Sequence, residues 1–109
     1  LKEAPNSREL ELRHCYVKSL AGIEQLTNLK RIYWTYSGND APFGVLRLFK
    51  VPNLTEIKTI YHVDPKDIRK GEYGQYALEI VNKHLKGDRS VADCMDELME
   101  AGLKEYAKL

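Results

Sequence analysis

Cysteine is scarce in this 109-residue chain, which holds two, Cys15 and Cys94. Two are too few for a disulfide-stapled scaffold, so a reduced intracellular protein, cytoplasmic in location, is the expectation. No CxxC or HxxxH spacing gathers metal ligands, and His14, His62 and His84 are scattered. An excess of one charge is missing too. The chain has 17 Lys+Arg against 16 Asp+Glu, so no global field draws it to nucleic acid or an anionic membrane. Apolar runs are short, and no segment reads as a membrane span. There is no Walker loop, dinucleotide fingerprint, nucleophile elbow or HExxH. The two glycines of "KGEYGQYAL" lack the preceding strand that a phosphate-binding loop needs. No metal and no cofactor are expected. No signal-peptide pattern opens the sequence, which begins at Leu1 rather than Met, as a segment of a longer chain would.

Present instead is a recurring leucine pattern. At 43% hydrophobic residues the chain can bury one modest core, and one domain spanning 1–109 is expected. Set against LxxLxLxx(N/C)x(L/I/V), Leu10 falls at position 4, Leu12 at 6, Cys15 at 9 and Val17 at 11. Leu20 follows at position 14, and only Ser7, at position 1, departs. A second unit starts at Leu29, with Ile32, Trp34 and Ser37 at positions 4, 6 and 9. A third starts at Leu54, with Ile57, Thr59 and His62. The starts are 22 and 25 residues apart, inside the range for such repeats. Side chains change face at every strand residue, so positions 4 and 6 point inward together. A small thiol at Cys15 suits the buried turn position.

The stretch "VKSLAGIEQLTNLKRI" closely resembles the leucine-rich repeats of bacterial internalin-like proteins and of plant intracellular immune receptors. The resemblance covers about residues 7–62. It implies an α/β fold: a short leucine-rich-repeat solenoid with a small parallel sheet. "AGIEQLTN" is expected to return as a short helix or irregular segment with Ile23 and Leu26 facing the core. In the next unit a loop from Ser37 to Pro42 leads to a helix reaching about Lys50.

Beyond "YHV" the pattern turns helical, and residues 63–109 are expected to form a C-terminal cap. Asp64-Pro65 reads as the start of a short helix through about Lys70. A second helix places Tyr73, Tyr76, Ala77, Ile80, Val81, His84 and Leu85 on one stripe and stops at Gly87. Ser90 and Asp93 resemble a capping pair for a third helix. Its apolar positions are Val91, Cys94, Met95, Leu98 and Met99; Gly102 ends it, and Leu103 folds back. The last two helices form a hairpin over the final strand, covering the end of the array.

The outward columns of the repeat carry the functional expectation. Position 3 holds Glu9, Arg31 and Glu56, and position 5 holds Glu11, Tyr33 and Lys58. Position 7 holds Arg13, Thr35 and Ile60; position 8 holds His14, Tyr36 and Tyr61. Aromatic residues and arginine dominate protein interfaces. Arg13, His14, Arg31, Tyr33, Tyr36, Lys58 and Tyr61 are therefore expected to bind another protein. The alternating charges argue against RNA. The resemblance implies a non-catalytic protein–protein recognition module. A small immunity or inhibitor protein that blocks a toxin, or a fragment of a plant immune receptor, would fit the same pattern. An enzyme would need a pocket built around His14, His62 or a carboxylate pair.

Overall fold

The structure is a computed structural model that describes residues 8–12, 20, 22–34, 44–59, 61–69, 72–87 and 90–107. It is mixed α/β. Three four-residue strands, β1 (Glu9–Leu12), β2 (Arg31–Trp34) and β3 (Glu56–Thr59), form one parallel sheet in the order β1-β2-β3. Glu9 pairs with Arg31 and Arg31 with Glu56. The next row is Leu10, Ile32 and Ile57; then come Glu11, Tyr33 and Lys58; the last is Leu12, Trp34 and Thr59. These are the rows read from the repeat columns. Ile32, Trp34 and Ile57 are buried, whereas Glu9, Arg31 and Lys58 are exposed. The Leu12 side chain, like Cys15 and the loop from Ser37 to Pro42, lies outside the described residues.

Main-chain bonding repeats with the strands. The Lys30 and Arg31 N–H groups donate to Arg8 O at 2.8 and 3.1 Å. One unit later, the Thr55 and Glu56 N–H groups donate to Lys30 O at 2.9 and 3.3 Å. Turns before the two strands match as well: Leu29 N–H bonds Leu26 O, and Leu54 N–H bonds Val51 O. Each strand-to-strand return contains a 3-10 helix, Ile23–Gln25 in the first and Val45–Lys50 in the second. Both begin on a left-handed glycine, Gly22 at φ 88° and Gly44 at φ 92°. An L side chain rarely adopts that conformation. A Cβ at Gly44 would also stand 3.3 Å from Arg47 Cδ. The helix expected from Pro42 is thus a 3-10 helix starting at Val45, with Pro42 itself outside the described residues. Its apolar residues Val45, Leu46 and Leu48 join Leu20, Ile23, Leu26, Leu29, Val51 and Leu54 in one core against the sheet.

The short helix expected after Asp64 is a turn instead. Asp64 Oδ1 accepts the Lys66 N–H at 2.9 Å, and Asp64 O accepts the Asp67 N–H at 3.0 Å. A side chain bonded two residues on favours an Asx turn over a helix cap. The helices proper are α1 (Tyr73–Leu85) and α2 (Val91–Glu100), followed by a 3-10 helix at Lys104–Ala107. Ala77, Ile80, Val81 and Leu85 are buried as the stripe requires, joined by Leu78, but Tyr73 is exposed. In α2 only Cys94 and Leu98 are fully buried; Val91 and Met99 face solvent. Two positions four apart make a stripe too narrow to bury the flanking residues of a ten-residue helix. Ser90 Oγ accepts the Asp93 N–H, capping α2. At its other end Leu103 N–H bonds Leu98 O and Gly102 N–H bonds Met99 O, with Gly102 at φ 77°. This Schellman arrangement folds Leu103 back onto Leu98 in the core.

Helix α1 lies along the outer edge of β3, where a bare strand would present unpaired peptide groups. Asn82 Oδ1 accepts the Ile57 N–H at 2.7 Å. Glu79 Oε1 accepts the Val63 N–H at 3.0 Å, and Gln75 Nε2 donates to Tyr61 O. Lys86 Nζ stands 3.6 Å from Glu56 Oε2. Gln75, Glu79, Asn82 and Lys86 follow helical spacing, so one polar stripe dresses the edge. The helix therefore has two working faces.

Three stability measurements check this packing. Ile32→Ala and Ile57→Ala should each cost about 2–5 kcal/mol in urea melts, as buried large-to-small changes do. Asn82→Ala should cost about 1–3 kcal/mol by stranding the Ile57 N–H, while Glu11→Ala on the open face costs much less. The free, fully buried Cys94 thiol is pushed up to about 12, chiefly by burial and secondarily by Glu97. A thiol raised in the folded state contributes stability below its unfolded value, lost as pH climbs toward the folded one. Between pH 9 and about 12 the wild type should therefore lose stability more steeply than Cys94→Ala.

Candidate recognition surface

Two of the exposed columns expected from the sequence stand side by side on the sheet. In the first, Arg31 is held between two carboxylates. Its Nη1 donates to Glu9 Oε1 at 2.8 Å, and its Nε lies 3.8 Å from Glu56 Oε1. The bond to Glu9 holds the guanidinium above its ordinary value. Lys86 reaches the other oxygen of Glu56, so the charges alternate in sign from β1 across the sheet to α1. Opposite charges facing across neighbouring strands support the pairing. In the second column the Lys58 ammonium lies 5.5 Å from the centre of the Tyr33 ring, a cation–π contact. Tyr33 is half-buried, with Lys58 exposed.

Tyr61 lies elsewhere. It is half exposed beyond the end of β3, and its hydroxyl donates to Glu72 Oε2, just ahead of α1. That bond raises the Tyr61 hydroxyl and, with the Arg69 N–H to Glu72 Oε1, holds the Glu72 carboxyl below the usual range. Tyr61 borders a groove of about 550 Å³ between β3 and the two helices. Ile57, Ile80 and Tyr76 give this groove apolar lining, and His62, Glu79 and Lys83 give polar lining. His62 Nδ1 is 3.3 Å from Glu79 Oε2, and Lys83 Nζ is 2.8 Å from Glu97 Oε1. The latter contact holds the Lys83 amine above its ordinary value. The Thr59 hydroxyl donates to Tyr61 O, and among the described residues no serine or cysteine lines the groove.

Of the residues singled out by sequence, the sheet brings Arg31, Tyr33 and Lys58 together, and Tyr61 borders the groove. Arg13, His14 and Tyr36 lie outside the described residues. Among the described residues, no group of three or more His, Cys, Asp or Glu is placed to hold a metal ion. No described helix is long and apolar enough to cross a membrane. The polar stripe of α1 was missed by sequence reading. Its signal was there in Gln75, Glu79, Asn82 and Lys86, which recur at helical spacing opposite the apolar residues. Compared with known protein families, characterised proteins and solved structures, the chain matches none.

Removing the Tyr61 hydroxyl tests the geometry at the groove. A carboxylate lowered by folding contributes stability above its unfolded value, lost as pH falls through the folded one. In Tyr61→Phe the Glu72 titration, followed by NMR of its side-chain carboxyl, should move up toward the ordinary range. An unmoved midpoint would show that the hydroxyl does not hold it.

Proposed function

We propose that this chain is a leucine-rich-repeat segment that recognises another protein, without catalysis, through the exposed face of its parallel sheet. The observation carrying this reading is the open face itself. Parallel sheets are ordinarily covered on both sides, because helical crossovers lie on each. Repeat arrays that follow each strand with a helix or 3-10 segment on one side leave the other side bare. Here the returns pack on the face of Ile32, Trp34 and Ile57, and the face of Glu9, Arg31 and Lys58 meets solvent. The matched main-chain bonds and glycines of successive units support the repeat.

Chemistry of the face favours protein over nucleic acid. Among the described residues Glu9, Glu11 and Glu56 are interleaved with Arg31 and Lys58, and alternating charge of this kind suits a phosphate backbone poorly. Tyr33 offers a rigid aromatic surface with a polar tip, the kind of anchor that carries interface energy. Arg13, His14 and Tyr36 are the residues proposed to extend it, while Tyr61 stands apart at the groove beside α1.

The immobilised chain, offered an extract of its source cells, should retain a protein that Tyr33→Ala and Lys58→Ala hold more weakly by about 1–3 kcal/mol each. Thermal melts of both variants should stay near wild type, and Met99→Ala, on the exposed side of α2, should bind normally. Retention unaffected by both face variants, or lost on Met99→Ala, would refute the reading.

A further inference from the structure

The groove between β3 and the two helices takes no part in the sheet face. Its floor is apolar. Ile57 and Ile80 are 3% and 2% exposed, and the half-buried Tyr76 lines it with them. Polar groups ring this floor, and the acids lie deeper than the bases. The side chains of Glu79 and Glu97 are 18% and 30% exposed, against 82% for His62 and 68% for Lys83. With His62 neutral, Glu79 and Glu97 against Lys83 leave this described lining one negative charge.

The bonds of the two carboxylates show which partners are fixed and which can move. Glu79 Oε1 is committed to the Val63 N–H at 3.0 Å, while Oε2 faces the His62 imidazole at 3.3 Å. Glu97 Oε1 receives Lys83 Nζ at 2.8 Å, with His84 Nε2 at 3.5 Å. Lys83 and His62 are the exposed members of their pairs. Exposed pairs contribute little, so both basic groups can swing aside at small cost.

We propose that this groove binds a small organic cation, an ammonium or guanidinium group carried on an apolar stem. The stem lies over Ile57, Tyr76 and Ile80, and the cation meets the Glu79 and Glu97 carboxylates in place of His62 or Lys83. A cation that brings its own apolar cover excludes water from the pair, which strengthens the attraction. The Tyr76 ring offers a face that attracts the same charge. An anion would instead meet the deeper acids. A volume of about 550 Å³ suits a free ligand better than one side chain of a partner. The groove is separate from the sheet face, so either site can fail without the other.

Phenylbutylamine, phenylbutanol and phenylbutyrate present similar stems and differ in terminal charge. Titrated into the whole isotope-labelled chain, phenylbutylamine should give saturable NMR shifts centred on the Ile57, Val63, Tyr76 and Ile80 amides. Phenylbutanol should bind about two- to fivefold more weakly, as for loss of a partly exposed ion pair. Phenylbutyrate should bind more weakly still. Glu79→Gln keeps an oxygen for the Val63 N–H, and Glu97→Gln keeps the side-chain shape. Each should weaken the amine by about the same two- to fivefold and leave phenylbutanol unchanged. Lys83→Met removes a competing cation and should tighten the amine about twofold. Glu100→Gln, at an exposed acid outside the groove lining, should change nothing. The same spectra show that each variant is folded, and the three-ligand series needs no variant.

No saturable shifts with millimolar amine would overturn the proposal, as would shifts centred outside the groove. Equal or tighter binding of the alcohol or the acid would do the same. So would carboxylate variants that weaken amine and alcohol alike, no gain from a folded Lys83→Met, or an equal loss from Glu100→Gln. The blocked peptide acetyl-Gly-Arg-Gly-amide supplies the other source of the same charge. If it bound at these amides as tightly as phenylbutylamine, the groove would belong to an arginine of a partner protein and the small-ligand assignment would fall.

Discussion

A strand of four residues, parallel to its neighbours, has no hairpin to hold it in place. The structure therefore depends on one ladder of main-chain bonds, from Arg8 to Lys30 to Thr55, that aligns three such strands in register. Once that ladder is set, every other row follows. Isoleucines stack on isoleucine beneath the sheet while glutamates flank arginine above it. A slip of one residue would exchange the two faces wholesale, placing Glu56 in the core and Ile57 in water. Matching turns at Leu26–Leu29 and Val51–Leu54 deliver β2 and β3 at the same point, two residues past each turn.

The third strand poses the complementary problem, since no strand among the described residues pairs along its outer side. Helix α1 answers it with side chains rather than a backbone. Its apolar stripe enters the core, and its polar stripe supplies acceptors and a donor to the chain from Ile57 to Val63. Two demands on thirteen residues explain why Gln75 is buried although it is polar. Its amide is committed to the Tyr61 carbonyl.

The strand rows were legible because an inward position alternates with an outward one, and period two is the strongest signal a short strand can carry. Ile23 and Leu26, the Ser90 cap and the fold-back of Leu103 were legible for a similar reason: each rests on bonds between near neighbours. What escaped depends on context. Asp64 followed by Pro65 is as good a turn as a helix start, and only the Lys66 N–H bonded to Asp64 Oδ1 decides between them. Val91 and Met99 continue an apolar pattern, but that flank of α2 faces solvent. Tyr33 and Tyr61 share a face by counting, yet Tyr61 is drawn aside by the Glu72 carboxylate, eleven residues further on.

The two returns differ in length by three residues, and all of that difference lies in one place. Gly22 and Gly44 each stand thirteen residues beyond the first residue of the preceding strand, Glu9 or Arg31. Leu26 and Val51 each stand five residues ahead of the next strand. Between those marks the 3-10 helix has three residues in one return and six in the other. Three residues are one turn of such a helix. An odd insertion inside a strand would turn its side chains over, but a whole added turn brings the chain back to the same azimuth. A whole turn can thus separate the two returns while β2 and β3 keep the same register.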